Sequence, residues 1–533
     1  MTRIAPAIAL GLSAILALEA SSQQTAAPVD VDVDVLIRGA LVYDGSGSEG
    51  AVRDVGVTGD RITFLGNADE EGVRGAREID ASGLIVAPGF VDPHAHAQGD
   101  LIAPDPERRA NLNYLMQGVT TVVVGNDGHG TFEIARSRTS MESQGIGTNA
   151  AMLVGFGSVR GEVMGMRDQP PTSDELEEMR SLVRAAMEEG AVGLATGLFY
   201  APQSFSTTDE VVELARVAAS YGGVYDSHLR DESTYSIGLV GAVDEVIEIA
   251  ERAEIAVNIS HIKALGVDVW GQSADVIDRI RAARIRGLRV TADQYPYEAS
   301  GSSLNASLLP RWAQSGGRDS LLARMDDPAT RARLETDMRE NMRRRNGPDA
   351  MLITGGRDVS LRGRTLLDVA EERGEDPLQT AIDIIRGGGA SIGSFNMNQD
   401  DIDRFMTAEF VMTGSDGSDG HPRKYGSYPK KVREYVLERG IISMARMIRA
   451  SSAQPAEVFG LEGRGRIEEG YFADVIVFDP ETIRDNATFL EPRLLASGMH
   501  YVFVNGELAV EDGEPTRSMT GRVLRGEGAR PIS

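Results

Sequence analysis

The sequence predicts an α/β chain built as a (β/α)8 barrel, with a small β-sandwich made from its two ends and an insertion between barrel strands seven and eight. Three observations predict it. Short, apolar, β-branched segments recur eight times between residues 84 and 413, helix-forming patterns separate most of them, and strand-like runs closed by Gly or Asp turns stand on both sides of this region. Strand and helix alternating at fairly even spacing argue for parallel βαβ units, and eight such units close a barrel.

Residues 1–22 carry one positive charge at Arg3, a short apolar stretch and then small residues, the pattern of a secretory signal peptide and too short for a permanent membrane span. An extended linker is expected at 23–34. Strands are expected at 35–43, 55–58 and 61–65, and again within 470–479 and 501–508, so that segments 35–85 and 464–533 can pair as one small sandwich beside a barrel at 86–463. The barrel strands are expected at 84–91, 120–125, 150–155, 192–196, 223–227, 256–260, 289–292 and 409–413. Helices are expected between them at 173–190, 208–222, 241–254 and 273–287, the first opening on Ser173 as a capped turn. The gap before the eighth strand is far longer than a crossover needs. Residues 300–403 are therefore expected to form an inserted subdomain beside the strand ends, where it could act as a lid.

A chain of 533 residues with 41% hydrophobic side chains and 60 glycines fits a large, loop-rich globular protein rather than a disordered one. Its 80 acidic and 54 basic residues give a formal charge of −26, which argues against a nucleic-acid or anionic-membrane partner. An anionic substrate would need positive charge concentrated in its site. The absence of cysteine excludes disulfides and a lipid-anchor cysteine; with the signal peptide, it points to a periplasmic or secreted protein with no stable membrane anchor.

Barrels place their chemistry at the C-terminal ends of their strands. Four of the seven histidines fall there: His94 and His96 after strand one, His228 after strand five and His261 after strand six, with Asp416 after strand eight. Alternate residues of a strand point the same way, so His94 and His96 face one side and can hold a divalent metal together. Any one of these histidines alone would be read as a packing residue. Four so placed read as a metal site.

Pro88-Gly89-Phe90-Val91-Asp92-Pro93-His94-Ala95-His96 resembles the strand-one signature of the amidohydrolase superfamily, whose members are TIM-like, metal-dependent hydrolase barrels. Gly193-Leu-Ala-Thr-Gly-Leu-Phe-Tyr200, Asp226-Ser-His228-Leu-Arg230, Asn258-Ile-Ser-His261-Ile-Lys263, Asp293-Gln-Tyr-Pro-Tyr297, Gly414-Ser-Asp416-Gly417 and His421-Pro-Arg423 together resemble the N-acyl-D-amino-acid deacylase (D-aminoacylase) family. The resemblance spans about 35–480. It implies zinc, one or two ions, with His228 and His261 at the tighter position and His94 and His96 at a second. It also implies Asp416 as general acid/base, taking a proton during attack by metal-bound hydroxide and returning it to the leaving amine. Lys263 and Arg423 are implied for the carboxylate of a small-molecule substrate, with Tyr297 in support, while Tyr200 and Ser303 are expected to line the pocket.

One departure stands out. Gly125-Asn126-Asp127-Gly128-His129 occupies the place of the family's Gly-Asn-Cys-Gly. Asp127 is read as a metal ligand: a carboxylate is harder than a thiolate, still binds zinc, can bridge two ions, and avoids an oxidisable thiol in an exported protein. His129 is read as a loop residue and His500 as structural. The implied reaction is hydrolysis of an N-acyl-D-amino acid to a carboxylate and a free D-amino acid. The alternatives are a periplasmic metallo-dipeptidase acting on D-residue-containing dipeptides and a metal-free structural barrel. The intact ligand set argues against the latter, and the lack of lysine at 191–198 argues against a hydantoinase-type enzyme.

Overall fold

The computed structural model describes residues 1–2 and 32–529. Apart from their outermost residues, the expected signal peptide (1–22) and linker (23–34) lie outside the described residues.

Eight strands pair in parallel and in chain order: β1 (Phe90–Asp92), β2 (Val119–Val124), β3 (Asn149–Gly155), β4 (Gly193–Gly197), β5 (Val224–His228), β6 (Ala256–Ile259), β7 (Val290–Gln294) and β8 (Val411–Thr413). All but the first begin and end within two residues of the expected segments. β2 is buried at every position, as suits a strand covered on both faces. The ladder stops between β8 and β1, where Asp92 makes the seam. Its Oδ1 accepts from the backbone N–H groups of His94 and Ser415, each at 3.1 Å, and Asp416 N–H donates to the His94 carbonyl at 2.9 Å. Residues at the rim thus also close the barrel.

The first expected strand, 84–91, is two strands. Ile85–Pro88 pairs with the small domain, whereas Phe90–Asp92 pairs with β2. Gly89 is the crossing point: its N–H donates to the Asp474 carbonyl at 2.8 Å, and a Cβ there would meet Thr120 Oγ1 at 2.2 Å. Only glycine lets the chain change sheets here.

Helix Ser173–Glu189 buries Met179, Val183, Ala186 and Met187, the spacing of an amphipathic face. Its cap is Thr172, one residue before the expected one. Thr172 Oγ1 accepts from Glu175 N–H at 3.3 Å, and the Glu175 carboxylate accepts from Thr172 N–H at 2.8 Å, satisfying two free donors reciprocally.

The two chain ends share a nine-stranded sheet in which Val475–Phe478 lies between Ile85–Pro88 and Met499–Val504. Val55, Val86, Val475, Val477 and Phe503 form a core on one face of this sheet, while Ile85, Ala87, Ile476 and Phe478 of the same strands join the barrel core. Near the C-terminus, Val523–Leu524 pairs instead with β3 of the barrel. Between β7 and β8, strands Ala299–Ser303, Met351–Gly356 and Ala390–Phe395 form an antiparallel sheet. With helices such as Pro328–Arg344 they enclose a separate core that includes Leu334, Met338, Ile353 and Ile392. This insertion begins soon after β7 ends, which sets it over the strand ends. No helix among the described residues is long and apolar enough to cross a membrane.

Candidate active site

Asp127, in the turn after β2, is the hub of the rim. Its Oδ1 lies 3.5 Å from His94 Nε2, 3.5 Å from His228 Nδ1 and 3.4 Å from His261 Nε2, and its Oδ2 lies 3.5 Å from His96 Nε2. Asp416 Oδ1 is 3.1 Å from His96 Nε2 and 3.7 Å from His94 Nε2. Three clusters of histidine and carboxylate atoms lie close enough to hold a metal ion, His94–His96–Asp127–Asp416, Asp127–His228–His261 and His94–Asp226–Asp293, and Asp127 belongs to the two at the cavity.

Three of these residues have left-handed backbones: Asp127 (φ 57°), His261 (φ 36°) and Asp416 (φ 47°). Outside glycine such conformations cost roughly 1–3 kcal/mol each and persist only where neighbours enforce them. The neighbours are visible. Gln203 Nε2 donates to the Asp127 carbonyl at 2.9 Å while its Oε1 accepts from Gly197 N–H at 2.6 Å. His261 N–H donates to Asp293 Oδ1 at 2.9 Å, and Asp416 is held by the barrel seam.

The donors suit a divalent ion of the zinc type. Ligands about 2.0–2.1 Å from a tetrahedral ion lie roughly 3.3 Å from one another, close to the separations between Asp127 and its histidines. Asp127 Oδ1, His94 Nε2 and His228 Nε2 are buried without a hydrogen-bond partner among the described residues. His228 Nδ1 and His261 Nε2, two of the three ring nitrogens that face Asp127 Oδ1, lie 2.8 Å apart and share a proton in the metal-free cluster; a divalent cation in that proton's place would satisfy the buried carboxylate oxygen.

The electrostatics agree. Burial opposes protonation of His96, but its bonds to Asp127 and Asp416 push it up to about 9. His261 is opposed by burial and Lys263, yet Asp416, Glu232 and Asp127 raise it to about 10. Burial alone would raise both aspartates. Instead, His94 and His228 hold Asp127 well below the carboxylate range, and Arg423 and His261 do the same for Asp416. The cluster draws positive charge, so metal uptake must displace protons.

A cavity opens beside the cluster, and Tyr200, Lys263 and Arg423 line it. Arg423 Nη1 is 2.8 Å from Asp416 Oδ2, and its Nη2 donates to Ser418 Oγ at 3.0 Å. Lys263 Nζ lies 2.6 Å from Glu232 Oε1 and 2.7 Å from His261 Nδ1.

Tyr297, expected in support of the substrate carboxylate, and Ser303, expected in the pocket wall, do not line this cavity. β7 ends at Gln294, so its alternation does not carry on to Tyr297, which stands edge-on to His421 with ring centroids 5.4 Å apart, away from the cavity lining. Tyr295 lines the cavity in its stead, its ring 4.6 Å from the Arg423 guanidinium carbon. Ser303 is occupied as a helix cap, accepting from Ala306 N–H at 3.1 Å, while Ser300 and Ser302 line the cavity. His129, read from sequence as a loop residue, also faces the cavity. Sequence reasoning passed over Glu232 and Arg345. The first has a faint signal, an acid four residues after His228; the second has none.

Parallel strands that deliver imidazoles and carboxylates to one rim define a metal-dependent barrel hydrolase. The profile of the amidohydrolase family matches residues 77–510. D-aminoacylase of Alcaligenes xylosoxydans xylosoxydans is 31% identical over 525 residues, covering 92% of this chain and 97% of that one. N-acyl-D-glutamate deacylase of the same organism is 32% identical over 522 residues, covering 92% and 96%. The solved N-acyl-D-glutamate deacylase of Bordetella bronchiseptica, complexed with zinc and a phosphonate mimic of the tetrahedral intermediate, matches with a TM-score of 0.78 at 31% identity, covering 92% of this chain and 99% of that one. The chain belongs to the amidohydrolase family and, within it, to the N-acyl-D-amino-acid deacylases of the D-aminoacylase kind.

Proposed function

We propose that this chain is a zinc-dependent hydrolase that cleaves the amide bond of N-acyl-D-amino acids, releasing a carboxylate and a free D-amino acid. The observation that carries the proposal is the convergence of four histidines on Asp127 beside the Asp416–Arg423 pair. The names of the relatives support the D configuration, and the zinc in the Bordetella bronchiseptica deacylase supports the metal.

In this reading His94, His96, Asp127, His228 and His261 hold one or two zinc ions. Zinc, when bound, polarises the scissile carbonyl and brings the pKa of a water toward neutrality. Asp416 takes the proton of the attacking water and returns it to the leaving nitrogen, so that the C–N bond breaks to a neutral amine. Arg423 keeps Asp416 anionic before substrate arrives. A substrate carboxylate that reaches Arg423 shares the guanidinium and removes part of the counter-charge on Asp416, which raises its proton affinity for the step. Lys263 adds a second positive charge, Tyr295 takes the supporting place expected of Tyr297, and Tyr200 forms part of the wall. The N-terminal pattern of residues 1–22 supports export to the periplasm or beyond.

The test is the initial rate of the zinc-supplemented protein on matched N-acetyl-D- and N-acetyl-L-amino acids, with dipeptides containing a D residue alongside. The N-acetyl-D compounds should be the substrates. A preference for the L enantiomers or for the dipeptides would sink the proposal.

A further inference from the structure

Of the cations that line the cavity, two are matched by acids and one is not. Lys263 pairs with Glu232 and Arg423 with Asp416. Arg345, contributed by the insertion just past helix Pro328–Arg344, lines the same cavity at 2% exposure. No carboxylate lies within ion-pairing distance of it among the described residues. The contrast with its neighbours is local: Arg343 bonds both oxygens of Asp268, at 2.8 and 2.7 Å, and Arg344 lies 3.6 Å from Glu340.

Arg345 is also fixed in place. Its Nε donates to Tyr235 Oη at 2.7 Å, and Tyr235 Oη donates to the Ser307 carbonyl at 3.1 Å. With its amide oxygen turned toward the guanidinium, Asn396 accepts from Nη1 at 3.3 Å and from Ser300 Oγ at 3.1 Å, which puts a cavity hydroxyl beside the arginine. The backbone just before Arg345 is seated on the barrel: Val267 N–H donates to the Arg344 carbonyl at 3.2 Å, and a Cβ on Gly266 (φ +92°) would meet that oxygen at 2.0 Å. Nη2 is left without a partner among the described residues. A buried guanidinium lacking an anion is costly, and a planar fork held in one orientation suits a carboxylate.

We propose that Arg345 is the specificity-determining residue for the substrate side chain, and that it selects N-acyl-D-amino acids whose side chain ends in a carboxylate. The inference rests on the deacylase reading of the site. Lys263 and Arg423 serve the α-carboxylate, so the second anion goes to Arg345. A neutral side chain there leaves the guanidinium buried and unpaired, which lowers transition-state binding for that substrate.

The test is kcat/KM for N-acetyl-D-glutamate, N-acetyl-D-glutamine and N-acetyl-D-leucine with the wild-type protein, Arg345→Met and Arg345→Lys. The wild type should favour D-glutamate over its neutral isostere D-glutamine at least tenfold. Arg345→Met should lower that ratio by about ten- to a hundredfold, chiefly through KM, and Arg345→Lys should restore part of it. The ratio is read within one preparation, so partial misfolding does not mimic the effect. A wild type that favours the neutral substrates overturns the inference. So does an equal loss on all three substrates in Arg345→Met, since that assigns Arg345 to the shared α-carboxylate. If the wild type cleaves no N-acyl-D-amino acid at all, the deacylase reading itself falls.

Discussion

Replacing Asp416 with asparagine removes one negative charge and almost no volume, and its contacts set the size of two effects. Oδ1 lies 3.1 Å from His96 Nε2 and Oδ2 lies 2.8 Å from Arg423 Nη1. An amide cannot shuttle the proton, and positioned acid–base assistance is worth about 10²–10⁴-fold, or about 2.7–5.4 kcal/mol of barrier. The second effect is on stability. Arg423, at 1% exposure, loses its counter-ion, and removing one partner of a buried pair costs about 3–5 kcal/mol. The lower end is expected, because Ser418 Oγ still accepts from Nη2 at 3.0 Å. The assay is kcat on an N-acetyl-D-amino acid well below the melting temperature, with zinc per chain and thermal melting measured on the same preparation. The variant should keep its zinc, melt earlier and lose at least about 100-fold in kcat. More than a tenth of the wild-type kcat would refute the acid–base assignment, and loss of zinc would place Asp416 among the ligands instead.

Asp127→Ala should weaken zinc binding by at least roughly 100-fold, since it empties the position shared by the two clusters at the cavity; unchanged affinity by calorimetric titration would remove Asp127 from the ligand set. Gln203→Leu should weaken binding by about 10–100-fold, because the left-handed turn at Asp127 loses the side chain that ties it to β4; full affinity would show that the turn holds itself. Zinc affinity should fall as pH drops below about 9, because His96 (pushed up to about 9) and His261 (about 10) bind protons in the metal-free cluster that the metal must displace. Each proton displaced contributes roughly tenfold per pH unit, so a flat affinity profile from about pH 6 to 9 would contradict the assigned ligands.

Much of the barrel was legible because its strands are buried, β-branched runs with glycine or polar residues at their ends, and the rim histidines follow directly from where those runs stop. Other features depend on pairing that local sequence does not encode. The apolar run at 84–91 reads as one strand; it divides at Gly89 because Asp474 and Thr120, both remote in sequence, decide which sheet each half joins. Tyr295 and Tyr297 look equivalent in Asp293-Gln-Tyr-Pro-Tyr297 until the end of β7 at Gln294 is known. Asp127 was readable from its place in the motif, whereas its bond to Gln203 was not. Arg345 carries no sequence signal because it is one of three consecutive arginines, and only tertiary packing leaves it without an acid.

Whether the histidine–Asp127 cluster runs the reaction is decided by stripping the protein of metal, titrating zinc back, and following hydrolysis of an N-acetyl-D-amino acid. Activity should vanish on stripping and return in proportion to bound zinc, reaching its plateau by one or two ions per chain. A stripped protein as active as the zinc-restored one would contradict the assignment of this rim as the catalytic metal centre.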